Sequence, residues 1–219
     1  MEKKVIFVAS SVKHSENCVA VIDIHNKKFY RIVADKNGKE IIWSDYNILG
    51  YNCIFPIRNN LPFLAKIKIL KEVPLNCQPE NVIIDKKIEF INEIDLKELE
   101  NFVYTPKSLW GKENYIKYDE NLKINYSLFL IKVNKISLYW KDRGNNKSLQ
   151  RRGKFIYNNI TYDLPLTDPD FEYLKEQVIE DVYLVVSLGE PFNGNCYKII
   201  AKVFVDILPE KKVWDILGL

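Results

Sequence analysis

Apolar runs of five to eight residues recur along the chain, separated by polar clusters and by Gly, Asn and Pro, and that punctuation predicts a β-rich fold. In the first half the runs place strands over about 4–10, 17–24, 28–34, 39–43, 50–57 and 63–71. Asn26 stands before the Phe29-Tyr30 strand where a tight hairpin would need it, and Lys36-Asn37-Gly38-Lys39 carries an Asn-Gly turn signal. Strands joined this closely pair with their neighbours, so the pairing is expected to be antiparallel. Between 72 and 94 the pattern becomes irregular, with only the short apolar runs Val82-Ile83-Ile84 and Ile88-Glu89-Phe90-Ile91. From Asp95 to Val103 the apolar residues fall at helical spacing with carboxylates near the start, as the helix dipole favours. Thr105-Pro106 ends that helix, because proline rejects the helical backbone of the residue before it. A boundary there divides the chain into an N-terminal unit, 1–104, and a C-terminal unit, 105–219.

The second half reads more regularly. Ser127 to Trp140 is long enough to be one strand that bends, and shorter strands follow at about 153–158 and 160–166, joined at Asn158-Asn159. Asp168-Pro169 is a helix start, a capping carboxylate followed by proline at the first helical position. Phe171, Leu174 and Val178 then share one face of a helix over 168–178, suited to plugging the end of a barrel. Strands at 182–188 and 196–207 complete three strands, a helix and two strands, the order of a small OB-type barrel.

With 47% hydrophobic and 28% charged residues the chain has the composition of a globular protein with a buried core. The N-terminal apolar run, Val5 to Ala9, is too short for a signal-peptide core or a membrane span, and a cytoplasmic protein with no membrane partner is expected. Cys18, Cys53, Cys77 and Cys196 lie far apart with no Cys-x-x-Cys pair, which lacks the usual zinc and thioredoxin-like spacings; they read as reduced core residues. No Gly-rich phosphate loop is present. The loop from Ser10 to Asn17 holds serine, His14 and Glu16, but sequential neighbours rarely form a catalytic triad. Asp163, Asp168 and Asp170 cluster as a metal-dependent nuclease would want, yet Asp168 is accounted for as a helix cap. No catalytic residue, metal or cofactor is expected.

A net charge of +3 leaves nucleic-acid binding to local clustering. The densest cluster is Lys141, Arg143, Lys147, Arg151, Arg152 and Lys154 against the single acid Asp142, bracketed by Tyr139 and Trp140 before it and by Phe155 and Tyr157 after it. Such cations would neutralise phosphates, and Tyr139 or Tyr157 would stack on unpaired bases. A solvated hairpin with core aromatics would look the same. Lys198, in the loop 187–198, is expected near Arg151, and Lys13 with His14 supplies a further candidate contact in the first unit.

Four short motifs occur in order along the chain. They are Val8-Ala9-Ser10-Ser11-Val12-Lys13-His14 running into Cys18-Val19-Ala20; Gln78-Pro79-Glu80-Asn81; Leu166-Thr167-Asp168-Pro169; and Ser187-Leu188-Gly189-Glu190-Pro191-Phe192 with Cys196-Tyr197-Lys198-Ile199-Ile200-Ala201. Together they resemble the bacterial dual OB-fold-containing domain family. Val12 departs from the basic residue expected before the Lys-His pair. The resemblance implies a mainly β protein of two consecutive OB-like small antiparallel β-barrels with one or two short helices. It also implies nucleic-acid binding or sensing, often in bacterial defence, with no catalytic residues. The expectation is therefore a non-catalytic binder of RNA or DNA, single-stranded favoured. The alternative is an interaction module whose loops hold a protein partner.

Overall fold

The computed structural model describes residues 1–13, 16–50, 62–144, 148–171 and 176–205. Seven strands form the first sheet: β1 (Glu2–Lys13), β2 (Glu16–Asp23), β3 (Phe29–Ile32), β4 (Asn47–Leu49), β5 (Phe63–Glu72), β6 (Asn81–Ile84) and β7 (Lys87–Glu93). The order β1-β2-β3-β6-β5, with β5 returning to β1, closes a five-stranded barrel, and β7 and β4 extend it from β5. The second sheet has the order β11-β10-β9-β12-β13-β8. Its strands are β8 (Tyr115–Lys117), β9 (Leu128–Lys141), β10 (Gln150–Tyr157), β11 (Ile160–Pro165), β12 (Gln177–Phe192) and β13 (Asn195–Phe204). It curls until Leu166 bridges Ile200 in parallel, and Thr167 N–H donates to the Ile200 carbonyl at 2.9 Å. The chain is thus mainly β and forms two OB-like barrels.

The continuous apolar runs are strands buried on both faces. In β1, Val5 and Phe7 point into the first barrel, while Ile6, Val8 and Ala9 belong to a separate core between the barrels. In β9, Phe129 and Ile131 fill the second barrel, while Leu128 and Leu130 join the shared core. Tyr183 and Val185 of β12 and Ala20 and Ile22 of β2 complete the pattern. A strand with one wet face would alternate; these runs do not, because the second barrel covers that face.

Two expected turns occur with the required backbone. Asn158 (φ 49°) and Asn159 (φ 62°) join β10 to β11, both in the left-handed region that a two-residue hairpin needs. Gly38 (φ 84°) sits in a turn where Asp35 accepts from the N–H groups of Asn37 and Lys39. Gly153 matters for space: a Cβ there would lie 2.5 Å from Ile200 Cδ1 and 2.8 Å from Ile136 Cδ1. Gly153→Val is expected to destabilise the chain by about 1–3 kcal/mol through overpacking. A lower denaturant midpoint at unchanged slope checks this.

Several expectations are corrected. The expected strands do pair antiparallel with one another, β1 with β2 and β5 and β2 with β3, but two further pairs are parallel: β3 with β6, because closure of an OB barrel brings its third and last strands together in the same direction, and β4 with β7. The segment 72–94, which reads as irregular, supplies β6 and β7; short apolar runs suffice once neighbouring strands complete their hydrogen bonds. Around 39–43 there is no strand, only an Ile41 bridge to Asn17 and a 3-10 turn at Trp43–Asp45. The expected strand over 50–57 lies almost wholly outside the described residues. The helix near 95–103 is a 3-10 helix, Leu96–Phe102, with Asp95 accepting from Lys97 N–H as its cap. Of the helix expected at 168–178, Pro169–Phe171 form a 3-10 turn with Phe171 buried in the barrel core as expected, and residues 172–175 lie outside the described residues, but Val178 is 54% exposed on β12 instead of plugging the barrel. Leu174 lies outside the described residues. Cys77 and Cys196 are buried as expected but are not reduced: they form a disulfide across the two barrels. No helix among the described residues is long and apolar enough to cross a membrane.

Candidate functional site

Strand alternation sorts the basic cluster. On β10, Gly153, Phe155 and Tyr157 face the barrel interior, and Arg152, Lys154 and Ile156 face outward. Tyr157 is therefore a core residue, with no free ring face for a base. Arg152 is held down: its Nε donates to Asp163 Oδ1 at 2.7 Å, it also reaches the Asp163 carbonyl, and its Nη1 donates to Gln150 at 2.9 Å. The Tyr139 hydroxyl donates to the other Asp163 oxygen at 2.8 Å. Burial opposes the Asp163 charge, but Arg152 and Tyr139 outweigh it and hold the carboxyl below the usual aspartate range. Burial, and then Asp163, raises the Tyr139 hydroxyl above its ordinary value. This cluster is an internally neutralised brace across β9, β10 and β11.

Arg151 donates to the Asp168 carbonyl at 2.8 Å. Arg143 is exposed but bonds its own loop, to the Ser148 carbonyl at 3.0 Å and hydroxyl at 3.1 Å. Lys147 and His14 lie outside the described residues, and Lys13 closes β1 in register with Glu16. Lys198 is not beside Arg151 at a loop. The segment 187–198 is mainly hairpin, turning at Asn193 (φ 50°) and Gly194 (φ 72°), and Lys198 is fully buried. Its Nζ donates to the carbonyls of Gly111, at 2.9 Å, and Glu113, and lies 5.3 Å from the Tyr162 ring centroid. Burial pushes that ammonium down to about 8. Arg152, Tyr157 and Lys198 thus leave the candidate contact set, for they complete the fold.

The outward cations that remain are Lys141 and Lys154, and the structure adds Lys135. Among the described residues none of the three makes an ion pair, although Glu180 of β12 lies opposite Lys135. Lys154 pairs in register with Ser137, placing Lys135 diagonally next to it on the same face. Between them lies a shallow depression of about 670 Å³, lined by Asn134, Lys135, Ser137, Lys154, Ile156 and Thr161 among others, with Ile156 65% exposed. Lys135 escapes a search for clustered charge because it lies in a mostly apolar strand, outside the run from 141 to 154; only the two-residue period of β9 puts it on the face of Lys141.

A second feature lies between the barrels. Arg31 of β3, buried to 7%, donates from Nη2 to Ser127 Oγ at 3.1 Å, Ser187 Oγ at 3.0 Å and the Leu188 carbonyl at 3.3 Å. Glu80, also buried, accepts from the Ser127 N–H and from Ser127 Oγ, the latter at 2.7 Å. Both charged groups come from the first barrel and their partners from the second. Arg31 lines a cleft of about 330 Å³ to which all four sequence motifs contribute: Ser11 and Cys18, Gln78, Thr167, and Ser187 and the run from Gly189 to Phe192 with Tyr197. Residues nearly two hundred positions apart meet there. In the sequence they fall in separate strands and loops, and their occurrence together as four ordered motifs is the signal that joins them.

The dual OB-containing domain family matches this chain over residues 3–203. No curated protein matches it.

Proposed function

The chain belongs to the dual OB-containing domain family, and from that premise we propose that it binds single-stranded nucleic acid, in the cytoplasm, along the outer face of β9, β10 and β11. OB barrels bind oligonucleotides on the face of their second and third strands and the adjoining loops, and β10 and β11 hold those places in the second barrel. The observation that carries the reading is the outward pair Lys135 and Lys154 beside an exposed apolar side chain, Ile156, with Lys141 farther along the same face of β9. Ammonium groups on flexible stems suit phosphates without fixing sequence, and the apolar floor suits bases laid flat. Arg143, at the mouth of the same loop, would add a phosphate contact.

Fluorescence anisotropy with labelled single-stranded RNA, single-stranded DNA and duplex, at several salt concentrations, tests this. Lys135→Ala/Lys154→Ala is expected to weaken single-strand binding and to reduce the slope of log K against log salt by about 1.4, two phosphates at ~0.7 each. An unchanged slope would remove the face from consideration. The reading is of capture without cleavage, as a sensor would need: bound strands, incubated with the protein and divalent cations, are expected to be recovered intact.

A further inference from the structure

We propose that the cleft between the barrels is a nucleobase pocket, distinct from the lysine face. Its volume of about 330 Å³ is at the small end of the range for ligand sites and more than holds a single base. Its wall carries two rings that the core does not use. Phe192 is 66% exposed and Tyr197 38% exposed, and both line the cleft. Tyr197 is backed by Tyr115, with ring centroids 5.8 Å apart, so its ring is braced for stacking.

The polar lining suits the edge of a base. Gln78 offers an amide and Ser11 a hydroxyl, beside the Arg31 guanidinium, whose buried Nε has no hydrogen-bond partner in the structure. Glu40 and Glu190 also line the cleft. The Cys77–Cys196 bridge joins the residues immediately before Gln78 and Tyr197, holding lining and wall together. A heteroaromatic ring edged with donors and acceptors meets every one of these groups; an aliphatic ligand or a bare phosphate does not.

The base can arrive on a free mononucleotide or as an unstacked base of a strand. Titration calorimetry of the full chain with AMP, GMP, CMP and UMP, and separately with a short single-stranded oligonucleotide, distinguishes the two sources. Saturable binding in at least one arm is expected, weakened about tenfold by Phe192→Ala or Tyr197→Ala, the loss that removing one stacking partner brings. Both rings are exposed, so each variant is expected to keep the wild-type melting temperature. Binding of a mononucleotide is expected to survive Lys135→Ala/Lys154→Ala. Absence of saturable binding in both arms would overturn the pocket, as would full affinity in both aromatic variants. Strand binding that is lost in the double lysine variant but untouched in Phe192→Ala and Tyr197→Ala would also reject the pocket while leaving the lysine face standing.

Discussion

Arg31→Ala is expected to lower the unfolding free energy by about 3–5 kcal/mol, the loss that follows when one member of a buried charged network is removed. The guanidinium is buried between the barrels and serves two serine hydroxyls and a carbonyl of the second barrel from one nitrogen. Without it the Ser127 hydroxyl, which donates to the buried Glu80 carboxylate, loses the guanidinium donor on its other side, and the Ser187 hydroxyl and Leu188 carbonyl lose the same donor. Arg31→Lys is expected to fall in between, since an ammonium restores the charge but not the planar fork. Ser187→Ala, which deletes one neutral partner, is expected to cost only about 1 kcal/mol. Denaturant unfolding followed by tryptophan fluorescence reads all three. An Arg31→Ala chain as stable as the wild type would show that the apolar core between the barrels holds them without this network.

Cys77→Ser is expected to cost about 2–5 kcal/mol under oxidising conditions, because the bridge closes a loop spanning 119 residues and long loops lose the most entropy in the unfolded chain when cross-linked. Adding reductant to the wild type is expected to bring its stability down to that of the variant, and the variant itself is expected not to respond. A reducing compartment would open the pair and an oxidising one would keep it closed, so the two conditions bracket its stability in either. Equal stability with and without reductant would mean that this bridge contributes nothing to the fold.

Both variants act where the barrels meet, and that junction was only half legible in the sequence. Val5 to Ala9 and Leu128 to Ile131 read as strands, but uninterrupted apolar runs say that both faces are buried without saying against what. The hairpin at Asn158-Asn159 was legible because left-handed backbone demands particular residues locally. The start of the turn at Asp168 was legible, since its carboxylate accepts from Asp170 N–H at 3.1 Å as a cap, but that the strand begins at Gln177 was not, nor that the same carboxylate is also buried and bonded to Val203 N–H and to Lys202. Burial raises the Asp168 carboxyl to about 6 against the pull of Lys202, as befits an anchor within the barrel. The basic cluster concealed a tertiary bond in the same way. Counting charges from 141 to 154 could not show that Asp163, on the next strand, would claim Arg152.

Sequence alone determined the mainly β class, the OB order of the second half and the kinship of four scattered motifs, because each depends on local propensity or on residue identity in order. Only the tertiary structure decided which cations remain outward, that Cys77 reaches Cys196, and that the motifs face one cleft. Those are relations between strands from different barrels, and they exist only once burial of the shared apolar faces has brought the barrels together.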